Sequence, residues 1–253
     1  MTGWELAAVC AAGVVAGAIN AVVGSGSLIT FPTLVAVGVD PVTANVSNTI
    51  GLVPGSFTAA YGYRTELHGQ RDRLLRLGAA SAAGALIGGI LLLFLDPDVF
   101  EVVVVALIAL ACVLVVVQPR INRWLAERRE HEHAHGGPAL WLGVLAAGVY
   151  GGYFGAAQGV LLIGLIGSFL DDHLQRVNAA KNVLALIVNA VAAALFVIVA
   201  EVEWQGVLGV ALGAIAGGFL GARLGRRIPA PVLRGIIVCV GVAAIIVLVY
   251  GKL

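Results

Sequence analysis

Two short glycine-centred stretches, Gly24-Ser25-Gly26-Ser27 and Gly155-Ala156-Ala157-Gln158-Gly159, interrupt otherwise apolar runs. Each is expected to end one helix and begin another at membrane depth, leaving backbone N–H groups that hydrocarbon cannot satisfy. Such N–H groups, with the positive end of the following helix dipole, form a site for a small anion. Glycine lets a ligand approach the backbone closely, and Ser25, Ser27 and Gln158 add side-chain donors. The competing reading is that the glycines serve tight turns and close helix packing. Recurrence of the tip in both halves of the chain favours binding.

A second polar cluster follows each tip: Asn45, Ser47, Asn48 and Thr49 in the first half, Asn178, Lys181, Asn182 and Asn189 in the second. Aligning the halves sets Ser47 opposite Lys181 and Asn48 opposite Asn182. Lys181 is one of two lysines in the chain, the other being Lys252. Pointing into a helix bundle it would cost about 2.5–3.5 kcal/mol on insertion scales and would serve substrate or gating. The alternative is that it snorkels to cytoplasmic headgroups beside Arg176. Asn20 and Asn189 lie deeper in apolar sequence, where they serve either ligand or interhelical hydrogen bonding. The candidate substrate-binding residues are Asn20, Gly24, Ser25, Gly26, Ser27, Asn48, Gly155, Ala157, Gln158, Lys181 and Asn182.

Other chemistry finds little footing. Serine catalysis would need a base near Ser25 or Ser27, yet His68, His131, His133, His135 and His173 all fall in connecting segments, and no pair of intramembrane aspartates exists. An enzyme is not expected. The His131-Glu132-His133-Ala134-His135 run reads as a solvated linker before a metal site, so no metal is expected. Cys10, Cys112 and Cys239 stand alone in apolar runs with no disulfide or metal spacing. There is no GxxxxGK[ST] phosphate loop and no cofactor is expected, so any energy for transport must come from a coupling ion or the substrate's own gradient. A net charge of +1 gives no nucleic-acid footprint.

The elements that must position these residues follow from composition. The chain has 253 residues, 60% hydrophobic and 11% charged, with a mean hydropathy of +1.01. Soluble domains carry roughly a quarter charged residues, and here the charges cluster between apolar runs of about 20 residues, the length that crosses a bilayer as a helix. The expectation is an all-α, multi-pass protein of the cell (inner or plasma) membrane. Apolar segments fall at about 4–23, 27–38, 43–62, 77–95 and 99–118, then, after a charged linker 119–138, at about 139–154, 158–170, 182–200, 206–222 and 231–250. Gly17, Gly24 and Asp40 match Gly148, Gly155 and Asp171 at an offset of 131; Gly84, Gly88 and Gly89 match Gly213, Gly217 and Gly218 at 129; Asn48 matches Asn182 at 134. This reads as a duplication, a common transporter architecture, with a first repeat 1–118 and a second 139–253. Gly13-xxx-Gly17, Gly84-xxx-Gly88, Gly213-xxx-Gly217 and Gly217-xxx-Gly221 read as close-packing motifs, and Pro32 and Pro54 as helix kinks or breaks. Glycine-faced helices permit a homodimer without demanding one. Met1 to Glu5 has no basic region, so no cleavable signal peptide is expected.

Orientation follows from the basic loops. Arg64, Arg71, Arg73 and Arg76 place 63–76 in the cytoplasm, as Arg120, Arg123, Arg128 and Arg129 do for the linker and Arg223, Arg226 and Arg227 for 223–230. The loops with Asp96, Asp98 and Glu101, and with Glu201 and Glu203, lie outside. Residues 4–38 then start and finish outside, and 139–170 start and finish inside. Each repeat is a broken or re-entrant hairpin plus three spans, about eight or more membrane segments in all. The odd number of crossings inverts one repeat against the other and leaves both termini outside. Were the hairpins single broken spans, the repeats would be parallel and an arginine-rich loop would lie outside.

The stretch GAINAVVGSGSLITFPTLVAVGVDPVTANVSNT, the later GVYGGYFGAAQGVLLIGLIGSF and the GALIGG/GAIAGG pair together resemble the sulfite exporter TauE/SafE family, also described as 4-toluene sulfonate uptake permeases, over essentially residues 6–250. The resemblance implies about eight transmembrane segments and movement of sulfite, organosulfonates or related sulfur-containing anions. The family's first hairpin carries a glycine cluster before a helix reaching a proline, matched here by Gly24, Gly26 and Pro32; its next helix opens with a stretch matched by Ala44 to Asn48. This sequence has fewer glycines at the first tip than many relatives, and Asn48-Thr49 stands where a small-hydroxyl pattern is more usual. The expected function is a secondary transporter of a small sulfur-containing anion, with an anion channel of the same fold as the alternative.

Overall fold

The computed structural model describes residues 1–127, 137–170, 172–224 and 230–250. Within them lie ten α-helices and one 3-10 turn: α1 (Gly3–Val22), α2 (Ser27–Ala36), α3 (Pro41–Gly62), the turn Arg64–Leu67, α4 (Arg71–Phe94), α5 (Pro97–Glu127), α6 (Gly137–Tyr153), α7 (Gln158–Phe169), α8 (Leu174–Val199), α9 (Trp204–Leu224) and α10 (Ala230–Tyr250). No strand occurs among the described residues. By length and composition five helices can cross a membrane: Gly3–Val22, Arg71–Phe94, Pro97–Arg120, Leu174–Val199 and Trp204–Arg223. α3 has the length, at 22 residues, but Asn45, Ser47, Asn48 and Thr49 make it polar; α6, α2 and α7 are shorter, at 17, 10 and 12 residues. The expected basic residues Arg128, Arg129, Arg226 and Arg227, the histidines 131, 133 and 135, and Asp171 lie outside the described residues.

Local sequence accounts for the helix starts. Thr2 and Glu5 form a reciprocal capping box on α1. Asp40 caps α3, its carboxylate accepting from the Val42 and Thr43 N–H groups at 3.1 and 3.3 Å, with Pro41 in the first turn. Pro32 and Pro54 lie inside α2 and α3 and end neither helix. α5 likewise runs on through Pro119 to Glu127, past the expected end of that span at 118. α8 begins at Leu174 rather than near 182, which takes Lys181 out of a connecting segment and into the second helical turn.

Both hairpins break in the same way. Gly24 (φ 83°) donates its N–H to the Ile19 carbonyl at 3.2 Å, and Gly155 (φ 76°) donates to the Tyr150 carbonyl at 3.1 Å. Each is the left-handed residue that ends a helix and that only glycine adopts cheaply.

Helices pack through glycine. On α1 and α9 the contacts climb together: Gly13 meets Val210 and Gly213, Gly17 meets Ala214 and Gly218, and Gly221 meets Ala18. On α6 and α4, Gly148 meets Ser81 and Gly84, Gly152 meets Ala85, and Gly88 meets Val149 and Tyr153. Backbone touches backbone in both seams, as small-residue motifs allow, and rising residue number on both sides means that each pair runs in the same direction. The same holds for α3 on α9 (Gly51 on Val210, Gly55 on Ala214, Gly62 on Ala222) and for α4 on α8 (Gly78 on Ile187, Gly89 on Leu195). The core at the hairpins is aromatic: Phe31 of α2 meets Phe154 edge-on at 5.3 Å, and Phe100 of α5 lies 6.5 Å from Phe154.

Candidate functional site

The two tips touch. Gly159, in the first turn of α7, donates its N–H to the Gly24 carbonyl at 3.1 Å. A Cβ on either glycine would overlap the other's Cα, so the chains cross with no side chain between them. Helices α2 and α7 both start at this crossing, and neither has a side-chain cap: Gly26 and Ala157 occupy the cap positions. Turn carbonyls take the place of such a cap: Leu28 and Ile29 donate to the Ser25 and Gly26 carbonyls at 3.3 and 2.9 Å, and Gln158 and Val160 to those of Gly155 and Ala157 at 3.2 and 3.0 Å. Ala157 holds φ 59°, the one non-glycine with positive φ among the described residues, at a cost of roughly 1–2 kcal/mol.

Around the crossing stand buried donors without partners. The Ser25 hydroxyl, the Asn48 Nδ2 and the Gln158 Nε2 make no hydrogen bond, although Ser25 and Asn48 are fully buried and Gln158 nearly so. Each unmet polar group costs about 1–3 kcal/mol, so the three call for an explanation. The Asn48 Oδ1 accepts from the Thr30 hydroxyl, which fixes the amide with its NH₂ to spare. The Gln158 amide packs on Gly151, where no side chain fits.

Lys181 does not snorkel. It is fully buried, and its Nζ donates to the Asn20 carbonyl at 2.8 Å and the Ala21 carbonyl at 3.3 Å, at the end of α1. Asn178 and Asn182 donate from the same face of α8 to the Ala21 carbonyl at 3.1 and 3.2 Å. The lysine stem runs past α7: a Cβ on Gly159 would stand 2.9 Å from its Cδ.

The structure thus gathers Gly24, Gly159, Lys181 and Asn182 into one contact set, with Asn20 joining it through its carbonyl. The Asn20 side chain turns elsewhere, donating to Ser56 at 3.4 Å, and Asn189 donates to the same hydroxyl at 3.1 Å. Gly26, Ser27, Gly155 and Ala157 form the tips themselves. Asn48 stands on α3 against Thr30 of α2. Ser47 does not mirror Lys181: its hydroxyl accepts from the Glu203 N–H at 2.9 Å, at the start of α9. Thr30 was passed over by sequence reasoning, since it lies in an apolar helix with no distinguishing period. Asn45 of the polar cluster donates to the Tyr153 carbonyl at 2.9 Å, capping the end of α6 as Asn178 and Asn182 cap α1.

At one end of the bundle Asp172 ties three segments. It binds Arg73 of α4 and Arg176 of α8, both at 2.6 Å, while Arg176 donates to the His68 carbonyl at 3.0 Å and Gln70 to the Arg176 carbonyl at 3.2 Å. Partial burial opposes the Asp172 charge, but hydrogen bonds from both guanidiniums outweigh it and hold the carboxyl below its usual value.

No solved structure matches the chain. Three curated relatives are similar. "Probable membrane transporter protein YfcA" of Escherichia coli (strain K12) is 27% identical over 84% of this chain and 76% of its own. "Probable membrane transporter protein ORF9" of Sinorhizobium sp is 24% identical over 94% and 90%. A "Probable membrane transporter protein" of Haemophilus influenzae is 27% identical over 88% and 84%. Residues 9–248 match the family described as Sulfite exporter TauE/SafE. With nearly its whole length matched, and with both glycine tips and the Lys181 cluster inside that span, the chain belongs to the sulfite exporter TauE/SafE family of membrane transporters.

Proposed function

We propose that this protein is a secondary transporter that binds a small sulfur oxyanion, sulfite or an organosulfonate, at the crossing of its two hairpin tips. The observation that carries the reading is the meeting of two uncapped helix starts beside a buried lysine, with the Ser25, Asn48 and Gln158 donors unpartnered. A sulfite or sulfonate presents three oxygens and negative charge, which suits the positive ends of two helix dipoles, neutral donors and a fixed cation.

Packing directions support inverted repeats in the cell membrane. The 63–70 connection turns the chain between α3 and α4, so the co-directional set α1, α3 and α9 opposes the set α4, α6 and α8. Under the sequence repeat α1 pairs with α6, α3 with α8 and α4 with α9, and each pair divides between the two sets. That α1 and α3 run the same way also favours α1–α2 as a re-entrant hairpin, since a single broken span would leave α3 opposed to α1. The two hairpins then enter from opposite faces, with the arginine-rich end about Arg73, Asp172 and Arg176 cytoplasmic and both termini outside. Alternating access follows from one repeat rocking against the other about the tips.

The test is thermal unfolding of the purified protein across sulfite, sulfate, sulfoacetate, taurine and aryl sulfonates, followed by counterflow in proteoliposomes. Saturable stabilisation by one sulfur anion, lost when Gln158 is replaced by leucine, is the expected result. No stabilisation by any anion would refute the site, and binding without counterflow would make the protein a channel.

A further inference from the structure

The end of α1 is built to hold a positive charge. The helix stops inside the bundle, and its last carbonyls meet the negative end of the helix dipole. Ile19 O is taken by Val23 and Gly24 N–H groups, leaving Asn20 O and Ala21 O as the next acceptors. Neutral amides are sufficient to cap such an end: Asn45 does so alone at the equivalent break in the second hairpin, donating to Tyr153 O. At α1 the Ala21 carbonyl already receives two amides, from Asn178 and Asn182. Lys181 is added to a carbonyl already served, and it brings an amine into a fully buried position.

Among the described residues no carboxylate pairs with Lys181. The ion pairs among the described residues join Asp172 to Arg73 and Arg176. The ammonium instead meets two neutral oxygens, Asn20 O and Ala21 O; Asn178, whose amide donates to the same Ala21 carbonyl, carries a buried Oδ1 with no partner. Carbonyl and amide oxygens at the end of a broken helix are the donor set that transporters use for a free monovalent cation, and hard oxygens without carboxylates suit a single charge.

We infer that the end of α1 is a monovalent-cation site and that the Lys181 ammonium is its occupant, a tethered cation in the place of a dissociable one. The repeat position matching Lys181 is Ser47, which faces Glu203 instead, so the two hairpins share a backbone while the charge belongs to one. The cation site does not depend on the anion reading. If that reading holds, the protein brings its own countercharge to the tips and needs no sodium to bind its substrate.

The experiment uses the full chain, purified, in the wild-type and Lys181→Ala forms. Unfolding is followed in chloride salts of sodium, potassium, methylammonium and N-methylglucamine at one ionic strength. Wild type should unfold at the same temperature in all four. Lys181→Ala should unfold lower in N-methylglucamine and recover by roughly 2–4 °C once methylammonium or sodium exceeds its Kd several-fold. Adding Asn178→Ala should remove the recovery. Identical unfolding of Lys181→Ala in every salt would overturn the inference. Should Lys181→Ala not fold, wild type still decides: saturable stabilisation by sodium or potassium would mean that Lys181 leaves the site open, and its absence is the expected result. Because neither arm contains a sulfur anion, failure here is separate from failure of the transport reading.

Discussion

Gly159→Ala probes the crossing of the tips with one methyl group. Its Cβ would overlap the Gly24 Cα and stand 3.0 Å from the Gly24 carbonyl oxygen and 2.9 Å from Lys181 Cδ. The first obstacles are backbone, so the hairpins must part. Overpacking of a close backbone contact costs about 1–3 kcal/mol, and the Gly159 N–H to Gly24 carbonyl bond, worth roughly 0.5–1.5 kcal/mol, is strained or lost with it. The sum of about 2–4 kcal/mol corresponds to a fall of roughly 5–15 °C in unfolding temperature for a chain of this size. The control is Gly235→Ala in α10, where a Cβ has no atom within 4 Å; there alanine's better helix propensity should leave stability unchanged or raise it by up to about 1 kcal/mol. Both variants are read by thermal unfolding in the same detergent, with and without a bound sulfonate. Gly159→Ala matching wild type within a degree would refute the contact between the tips, and with it the reasoning that builds the site there.

Three further outcomes follow from the same geometry. Ser25→Ala removes an unpartnered buried hydroxyl, so stability should hold or rise while anion affinity falls roughly tenfold, the worth of one hydrogen bond to a charged ligand; a loss of stability with unchanged binding would make Ser25 structural. Asn45→Ala strips the cap from the Tyr153 carbonyl and should lower stability by about 1–3 kcal/mol in denaturant or heat. Asp172 titrates below its usual value because of Arg73 and Arg176, so its contribution is present above the unfolded carboxyl pKa of about 3.9 and lost as pH falls through the lower folded value. Unfolding temperature against pH should therefore drop at the acid end in wild type and lose that component in Asp172→Asn, which should be less stable near neutrality by roughly 1–3 kcal/mol.

The sequence carries its clearest messages where one residue type has one physical use. Gly24 and Gly155 sit at helix breaks because only glycine holds a positive φ cheaply, and both breaks were readable as glycine clusters inside apolar runs. Lys181 stood out because a lysine in hydrocarbon needs a reason. Its target was not readable: the carbonyls of Asn20 and Ala21 are backbone groups that any residue would present, 160 positions away. Asp172 and Arg73 were similarly mute, since their pairing depends on α4 and α8 lying side by side. The linker expected from 119 begins instead as helix, since α5 carries Pro119 inside it and runs on to Glu127. Ser47, set opposite Lys181 by the repeat alignment, has a different partner. The glycine seams of α1 with α9 and α4 with α6 admit few alternatives, whereas a polar side chain is free to find its partner on whichever helix faces it. The two hairpins break alike while their polar side chains diverge, so under the proposed reading a site at their crossing is one-sided in its charge. Under that reading an anion is drawn to the side of Lys181, so in thermal-unfolding titrations substitutions on α8 should change its affinity more than the matching substitutions on α3.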